Sequence, residues 1–198
     1  MDLDKFLKDF NGEASEETNN NESLERWYEL VSPSTVNIIL GRKGGGKSAL
    51  GYFLLENLGA HYGLQPIVVN LPRTKCELLP SNFAVNSLDG VKNTENSIVL
   101  IDEGTTMLPA GRGKLEEMIK GFEALSRQRN QIIIFVFHAS SDVGSRILRG
   151  VDTILLKEPS QRQIQWGSKD NWWHDLLLEA KTKFKTIADV GGDKHAYT

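Results

Sequence analysis

Eight residues, Gly41 to Ser48 (GRKGGGKS), restrict the fold of this chain more than any other stretch. They fill every fixed position of G-x-x-x-x-G-K-[ST]. They stand between a β-branched run, Val36 to Leu40, and a segment with apolar residues at helical spacing, Ser48 to Leu58, which Gly59 is expected to stop. Glycines let the backbone curl until successive N–H groups face one way, and the helix that follows adds the positive end of its dipole. Such a strand–loop–helix cradles phosphate. The residues expected around it are Gly41, Arg42, Lys43, Gly44, Gly45, Gly46, Lys47, Ser48 and Ala49. In that geometry Lys47 reaches the β- and γ-phosphates of a nucleotide such as ATP, and Ser48 ligates Mg2+.

The same alternation continues along the chain. Pro66 to Asn70, Ile98 to Asp102, Ile132 to Phe137 and Asp152 to Lys157 read as strands, and Arg162 to Trp166 as an edge strand. Helices are expected over Lys114 to Ser126, Ser141 to Leu148 and Asn171 to Lys185, and no firm element over 71–96. The run IIIFVF is apolar on both faces, which suits the centre of a sheet covered on both sides. Strands alternating with helices predict an α/β fold with a mostly parallel central sheet and helices on both faces.

A second motif is SIVLIDEG, Ser97 to Gly104. A buried strand ending in Asp102 carries a carboxylate to the edge of the sheet where open α/β folds bind ligands. Asp102 there holds Mg2+ through water, and Glu103 orients and activates an attacking water. His138 closes the strand QIIIFVF and is placed to report the γ-phosphate. The four histidines are scattered and form no metal-ligand spacing. Arginines flank the same strand, Arg127 and Arg129 before it and Arg146 and Arg149 after it. An arginine from a neighbouring subunit can stabilise the charge that builds during phosphoryl transfer, and Arg127 is the first candidate for that role.

Composition adds boundaries. The chain has 198 residues and one cysteine, Cys76, which excludes an internal disulfide framework and a multi-cysteine zinc site. No apolar run approaches the length of a membrane span, and MDLDKFLKDF lacks the apolar core of a signal peptide, so a cytoplasmic protein with no membrane partner is expected. Residues 1–31 hold nine acidic and three basic side chains, a balance of −6, whereas the remainder stands at +3. The body is thus mildly basic and leaves a polyanion partner open. Within the leader, Asn11 to Ser23 reads as mobile and Leu24 to Leu30 as a short docking segment. Residues 32–190 are expected to form one domain, and 191–198 a flexible tail.

Taken together, GRKGGGKS, IVLIDEG and the block ALSRQRNQIIIFVFHASSDVGSRILRGVDTILL resemble the FtsK–HerA superfamily of DNA-translocating ATPases, and within it the small viral genome-packaging ATPases. The resemblance covers about Thr35 to Gln163. It implies a RecA-like P-loop NTPase of the class with a catalytic glutamate (ASCE). It places the strand ending in His138 between the phosphate-loop strand and the Asp102 strand. The implied cofactors are ATP and Mg2+. The implied partners are double-stranded DNA, further copies in a homo-oligomeric ring (a pentamer or hexamer), and a capsid or portal protein. His138 stands where the family usually has Gln. The segment Gly104 to Lys114 reads as a loop able to enter a pore, with Arg112 and Lys114 gripping phosphates independently of base sequence.

Two other readings compete. A small nucleotide kinase needs an arginine-rich lid and a substrate-binding acid motif, whereas the tandem Asp102–Glu103 suits hydrolysis. An assembly ATPase resembling the zonula-occludens-toxin-like phage proteins usually carries a membrane segment. Trp172 and Trp173 are expected to anchor the last helix rather than to stack on bases.

Overall fold

The computed structural model describes residues 17–69, 71–102, 112–137, 143, 145–167 and 171–189. Among them six strands form one sheet: β1 (Thr35–Leu40), β2 (Gln65–Val69), β3 (Ala84–Asn86), β4 (Ser97–Ile101), β5 (Gln131–Phe137) and β6 (Thr153–Leu156). Every pairing is parallel, and the order across the sheet is β3-β2-β4-β5-β1-β6. The strand that precedes His138, β5, therefore lies between the Gly41 strand and the Asp102 strand, as the resemblance implied. All seven residues of β5 are buried, in keeping with its apolar character on both faces.

Among the described residues eight helices connect and cover the strands: α1 (Glu17–Leu30), α2 (Lys47–Tyr62), α3 (Arg73–Cys76), α4 (Leu88–Val91), α5 (Arg112–Arg129), α6 (Ser145–Gly150), α7 (Gln161–Gly167) and α8 (Asn171–Asp189). Strand pleating sorts their partners. Val36, Ile38 and Leu40 of β1 join a core with Leu115, Ile119 and Phe122 of α5, Ile147 and Leu148 of α6, Ile164 of α7, and Trp173, Leu177 and Ala180 of α8. Ile39 of the same strand joins Leu50, Leu54, Leu55 and Leu58 of α2 on the opposite face. Trp27 and Tyr28 of α1 cover that second layer, with the Tyr28 ring stacked on His61 at 3.6 Å and its carbonyl accepting from the Tyr62 hydroxyl at 2.6 Å.

Four sequence expectations change. Arg162 to Trp166 is helix α7, not an edge strand: Ser160 and Gln163 form a reciprocal capping box, with the Ser160 N–H donating to Gln163 Oε1 at 2.7 Å and the Gln163 N–H to Ser160 Oγ at 3.2 Å. Gly59 lies inside α2, where a side chain would come within 3.0 Å of Pro66 Cγ, and the helix ends instead at Gly63, whose φ of 64° is left-handed. Helix α1 begins at Glu17, within the stretch read as mobile. Segment 71–96 contains two short helices and the edge strand β3.

Candidate functional site

In a parallel sheet all strands end at one edge, and the chain leaving β1 must turn sharply there. Leu40 pairs with Phe137 of β5 on one side and with Leu156 of β6 on the other. The turn is made by Gly44 and Gly46, whose φ values of 72° and 77° favour glycine, and Gly46 caps α2. Arg42 closes the loop from within: its carbonyl accepts from the Gly45 N–H at 3.1 Å and from Lys47 Nζ at 2.9 Å. Lys47, first residue of α2, is only 3% exposed, and Ser48 is half-buried beside it.

Asp102 stands at the same edge, directly after β4. Burial lowers the Lys47 ammonium below its ordinary value, and the nearby Asp102 carboxylate partly counters that. The phenol of Tyr52, on the next turn of α2, is pushed up to about 12 by burial first and by Asp102 second. Lys47 and Ser48 thus open one helix at this edge, with the Asp102 carboxylate near enough to act on the Lys47 ammonium. Among the described residues no group of three or more His, Cys, Asp or Glu could hold a metal ion. One hydroxyl and one carboxylate fit Mg2+ shared with phosphates and water, and do not fit an all-protein cage.

A segment that sequence reasoning passed over braces this loop. After β6 the Lys157 N–H donates to the Leu40 carbonyl at 2.7 Å, and the Arg42 N–H donates to the Glu158 carbonyl at 3.0 Å. The Glu158 carboxylate meets the Arg42 guanidinium at 3.0 Å and Lys181 of α8 at 2.6 Å. Gln163 Nε2 donates to the Gly41 carbonyl at 3.1 Å. Lys157 itself is 9% exposed, and burial lowers its ammonium too. The sequence held one local signal, Ser160-x-x-Gln163, which marks a helix start but not its place beside the loop.

The remaining expected residues fall elsewhere. Glu103 and His138 lie outside the described residues. Arg112 and Lys114, expected in a loop, belong to the first turn of α5, where helix formation begins earlier than the glycines suggested. Arg127 is exposed near the end of α5, at the sheet edge where β5 starts. The seven residues of β5, rising about 3.3 Å each, separate that edge from the phosphate-loop edge by roughly 20 Å. Arg127 is therefore remote from the loop of its own chain. Arg129 faces Glu95 at 3.7 Å. Trp173 is buried in the core, and Trp172 packs beneath the Arg149 guanidinium at 5.3 Å.

No protein-family model and no curated protein matches this chain. Solved structures do. The DNA-packaging ATPase B204 from Sulfolobus turreted icosahedral virus is 19% identical, with a TM-score of 0.57 over 77% of this chain and 89% of that one. The genome packaging NTPase B204 from Sulfolobus turreted icosahedral virus 2, in complex with ATP-gammaS, is 16% identical, with a TM-score of 0.57 over 74% of this chain and 86% of that one. The same protein in complex with AMPPCP gives 18% identity and a TM-score of 0.56 over 77% and 87%. At these identities the likeness concerns the fold. The chain has the architecture of a RecA-like P-loop NTPase, an open all-parallel sheet with helices on both faces.

Proposed function

We propose that this protein is an ATPase that drives double-stranded viral DNA into a capsid. The observation that carries the reading is the glycine-rich loop that buries Lys47 within electrostatic reach of Asp102, in a sheet whose β5 lies between β1 and β4. Its support is the shape shared with packaging NTPases solved with ATP analogues. The loop N–H groups and the α2 N-terminus bind the polyphosphate, and Lys47 exchanges the Arg42 carbonyl for phosphate oxygens. Ser48 and Asp102 are the residues that would hold Mg2+, which would supply charge neutralisation at the transferring phosphoryl group. Glu103 positions the attacking water, and His138 responds to the γ-phosphate.

Arg127 acts on a neighbouring subunit's nucleotide, so the working form is a homo-oligomeric ring docked on a capsid or portal protein. Its exposure and its distance from its own loop support a role between subunits rather than within one. Arg112 and Lys114, at the start of α5, are the candidate DNA contacts. No helix among the described residues is long and apolar enough to cross a membrane.

The test is ATP turnover with and without double-stranded DNA, alongside particle mass in a non-hydrolysable nucleotide. A DNA-stimulated ATPase in rings is expected. Phosphate transfer to a nucleoside acceptor, or turnover indifferent to DNA at every protein concentration, overturns it.

A further inference from the structure

The first peptide of the phosphate loop, between Gly41 and Arg42, is held at both of its polar ends. Its N–H, that of Arg42, donates to the Glu158 carbonyl at 3.0 Å. Its carbonyl, that of Gly41, accepts from Gln163 Nε2 at 3.1 Å, from 122 residues further along the chain. A peptide unit is planar, so two bonds on opposite sides fix the orientation of the whole plane. Only the two backbone dihedrals of Arg42 separate that plane from the next carbonyl. That next carbonyl accepts from the Gly45 N–H at 3.1 Å and from Lys47 Nζ at 2.9 Å. The clamp therefore sets the group on which the Lys47 ammonium rests.

The two halves of the clamp differ in kind. The Glu158 half joins backbone to backbone, and any residue at that position supplies it. The Gln163 half depends on one side chain. Gln163 is 8% exposed, and both ends of its amide are used: Oε1 accepts from the Ser160 N–H at 2.7 Å while Nε2 reaches Gly41, which is itself buried. Capping α7 needs only the oxygen, which a glutamate would offer equally well. The donor on the other end is what the Gly41 carbonyl requires, because a buried carbonyl that loses its donor bears a desolvation cost.

We propose that Gln163 is a positioning residue of the phosphate loop, acting through the Gly41–Arg42 peptide to hold the loop and Lys47 in their binding geometry before nucleotide arrives. The inference rests on the nucleotide-binding reading above. A loop already in its bound shape spends little binding free energy on ordering, so losing the clamp appears as weaker nucleotide binding. The loss of one such hydrogen bond corresponds to about fivefold in affinity.

The test combines ATP titration with amide hydrogen exchange of the nucleotide-free full chain, for the wild type and for Gln163→Glu, Gln163→Met and Ser160→Ala. Gln163→Glu keeps the capping oxygen and removes the donor; Gln163→Met removes the donor without adding charge. Ser160→Ala weakens the same cap, since it deletes the oxygen that accepts from the Gln163 N–H at 3.2 Å, but leaves the clamp in place. Both Gln163 variants should bind ATP about fivefold more weakly. Their Arg42 and Gly45 amides should exchange about fivefold faster, with β5 still protected. Ser160→Ala should match the wild type in ATP affinity. Equal weakening by Ser160→Ala overturns the proposal, because the effect then comes from the α7 cap. Protection lost throughout β5 and α7 in both Gln163 variants also overturns it, by making Gln163 a residue of global stability. Faster loop exchange with unchanged ATP affinity shows a clamp that binding does not need, and overturns it too. A wild-type chain that binds no nucleotide overturns the nucleotide-binding reading, whereas wild-type binding that both Gln163 variants retain in full overturns this inference alone.

Discussion

Arg42 meets Glu158 twice: its backbone N–H donates to the Glu158 carbonyl at 3.0 Å, and its guanidinium lies 3.0 Å from the same residue's carboxylate. The second residue of the phosphate loop is thereby tied to the segment after β6, and through Lys181 to helix α8. Glu158→Ala removes the side-chain half of this brace. Arg42 and Lys181 are both substantially solvent-exposed, so the stability loss should be small, about 1 kcal/mol or less. The loop, however, loses pre-organisation, and ATP affinity should fall several-fold. Urea unfolding and nucleotide titration on the same preparation check this; a large fall in stability with intact affinity contradicts it.

Lys47→Ala and Glu103→Gln should fail in different ways. The first loses nucleotide binding or turnover, because the ammonium that reaches the transferring phosphate is gone. The second should still bind ATP and Mg2+ through Ser48 and Asp102 while hydrolysis nearly stops. Equilibrium binding and single-turnover hydrolysis separate the two, and wild-type turnover in Glu103→Gln assigns the water-positioning role to another residue.

Arg127 sits at the opposite sheet edge from its own loop, so its contribution should depend on assembly. Turnover per subunit should rise with protein concentration, and Arg127→Ala should abolish the rise with nucleotide affinity retained. The loss in rate should be about 10³-fold or more. Mixing Arg127→Ala with Glu103→Gln subunits should restore part of the activity. Activity per subunit that is flat across concentration, and unaffected by Arg127→Ala or Arg129→Ala, rules out a shared site.

Alkaline pH should move stability and binding in opposite directions. Burial depresses Lys47 and Lys157 in the folded chain, so between their lowered values and the ordinary lysine value of 10.5 the unfolded chain binds more protons. Stability in the absence of nucleotide therefore rises with pH in that window. A polyphosphate favours a charged Lys47, so ATP affinity should fall over the same range. Measurements should stop near pH 10, because Tyr52, pushed up to about 12, contributes with the opposite sign above its ordinary value. Denaturant midpoints and ATP dissociation constants from pH 7 to 10 check both slopes.

At Gly51 helix α2 lies close against Leu100 of β4. A methyl there would stand 2.7 Å from Leu100 Cδ1, and Leu100 is fully buried. Gly51→Val should cost about 2 kcal/mol through forced repacking. Gly51→Ala should cost less, since alanine regains about 1 kcal/mol of helix propensity. Thermal or urea unfolding distinguishes these from a neutral surface effect.

GRKGGGKS, the apolar run Ile132 to Phe137 and the aspartate after Ile101 were enough to read an α/β phosphate-binding fold, because loop curvature, strand burial and sheet-edge chemistry are local properties of a few adjacent residues. Arg162 to Trp166 misled because the polar-apolar alternation of Gln163 to Trp166 imitates a strand, and the capping bonds of Ser160 and Gln163 show the helix. The brace of Lys157, Glu158 and Gln163 on a loop more than a hundred residues earlier was decided by tertiary structure alone. Parallel pairing of β6 with β1 brings those residues to Gly41 and Arg42, and no local pattern encodes a register between strands so far apart in the chain. The same holds for Arg127: its type and its place before β5 were legible, but its remoteness from its own phosphate loop follows only from the direction in which β5 crosses the sheet.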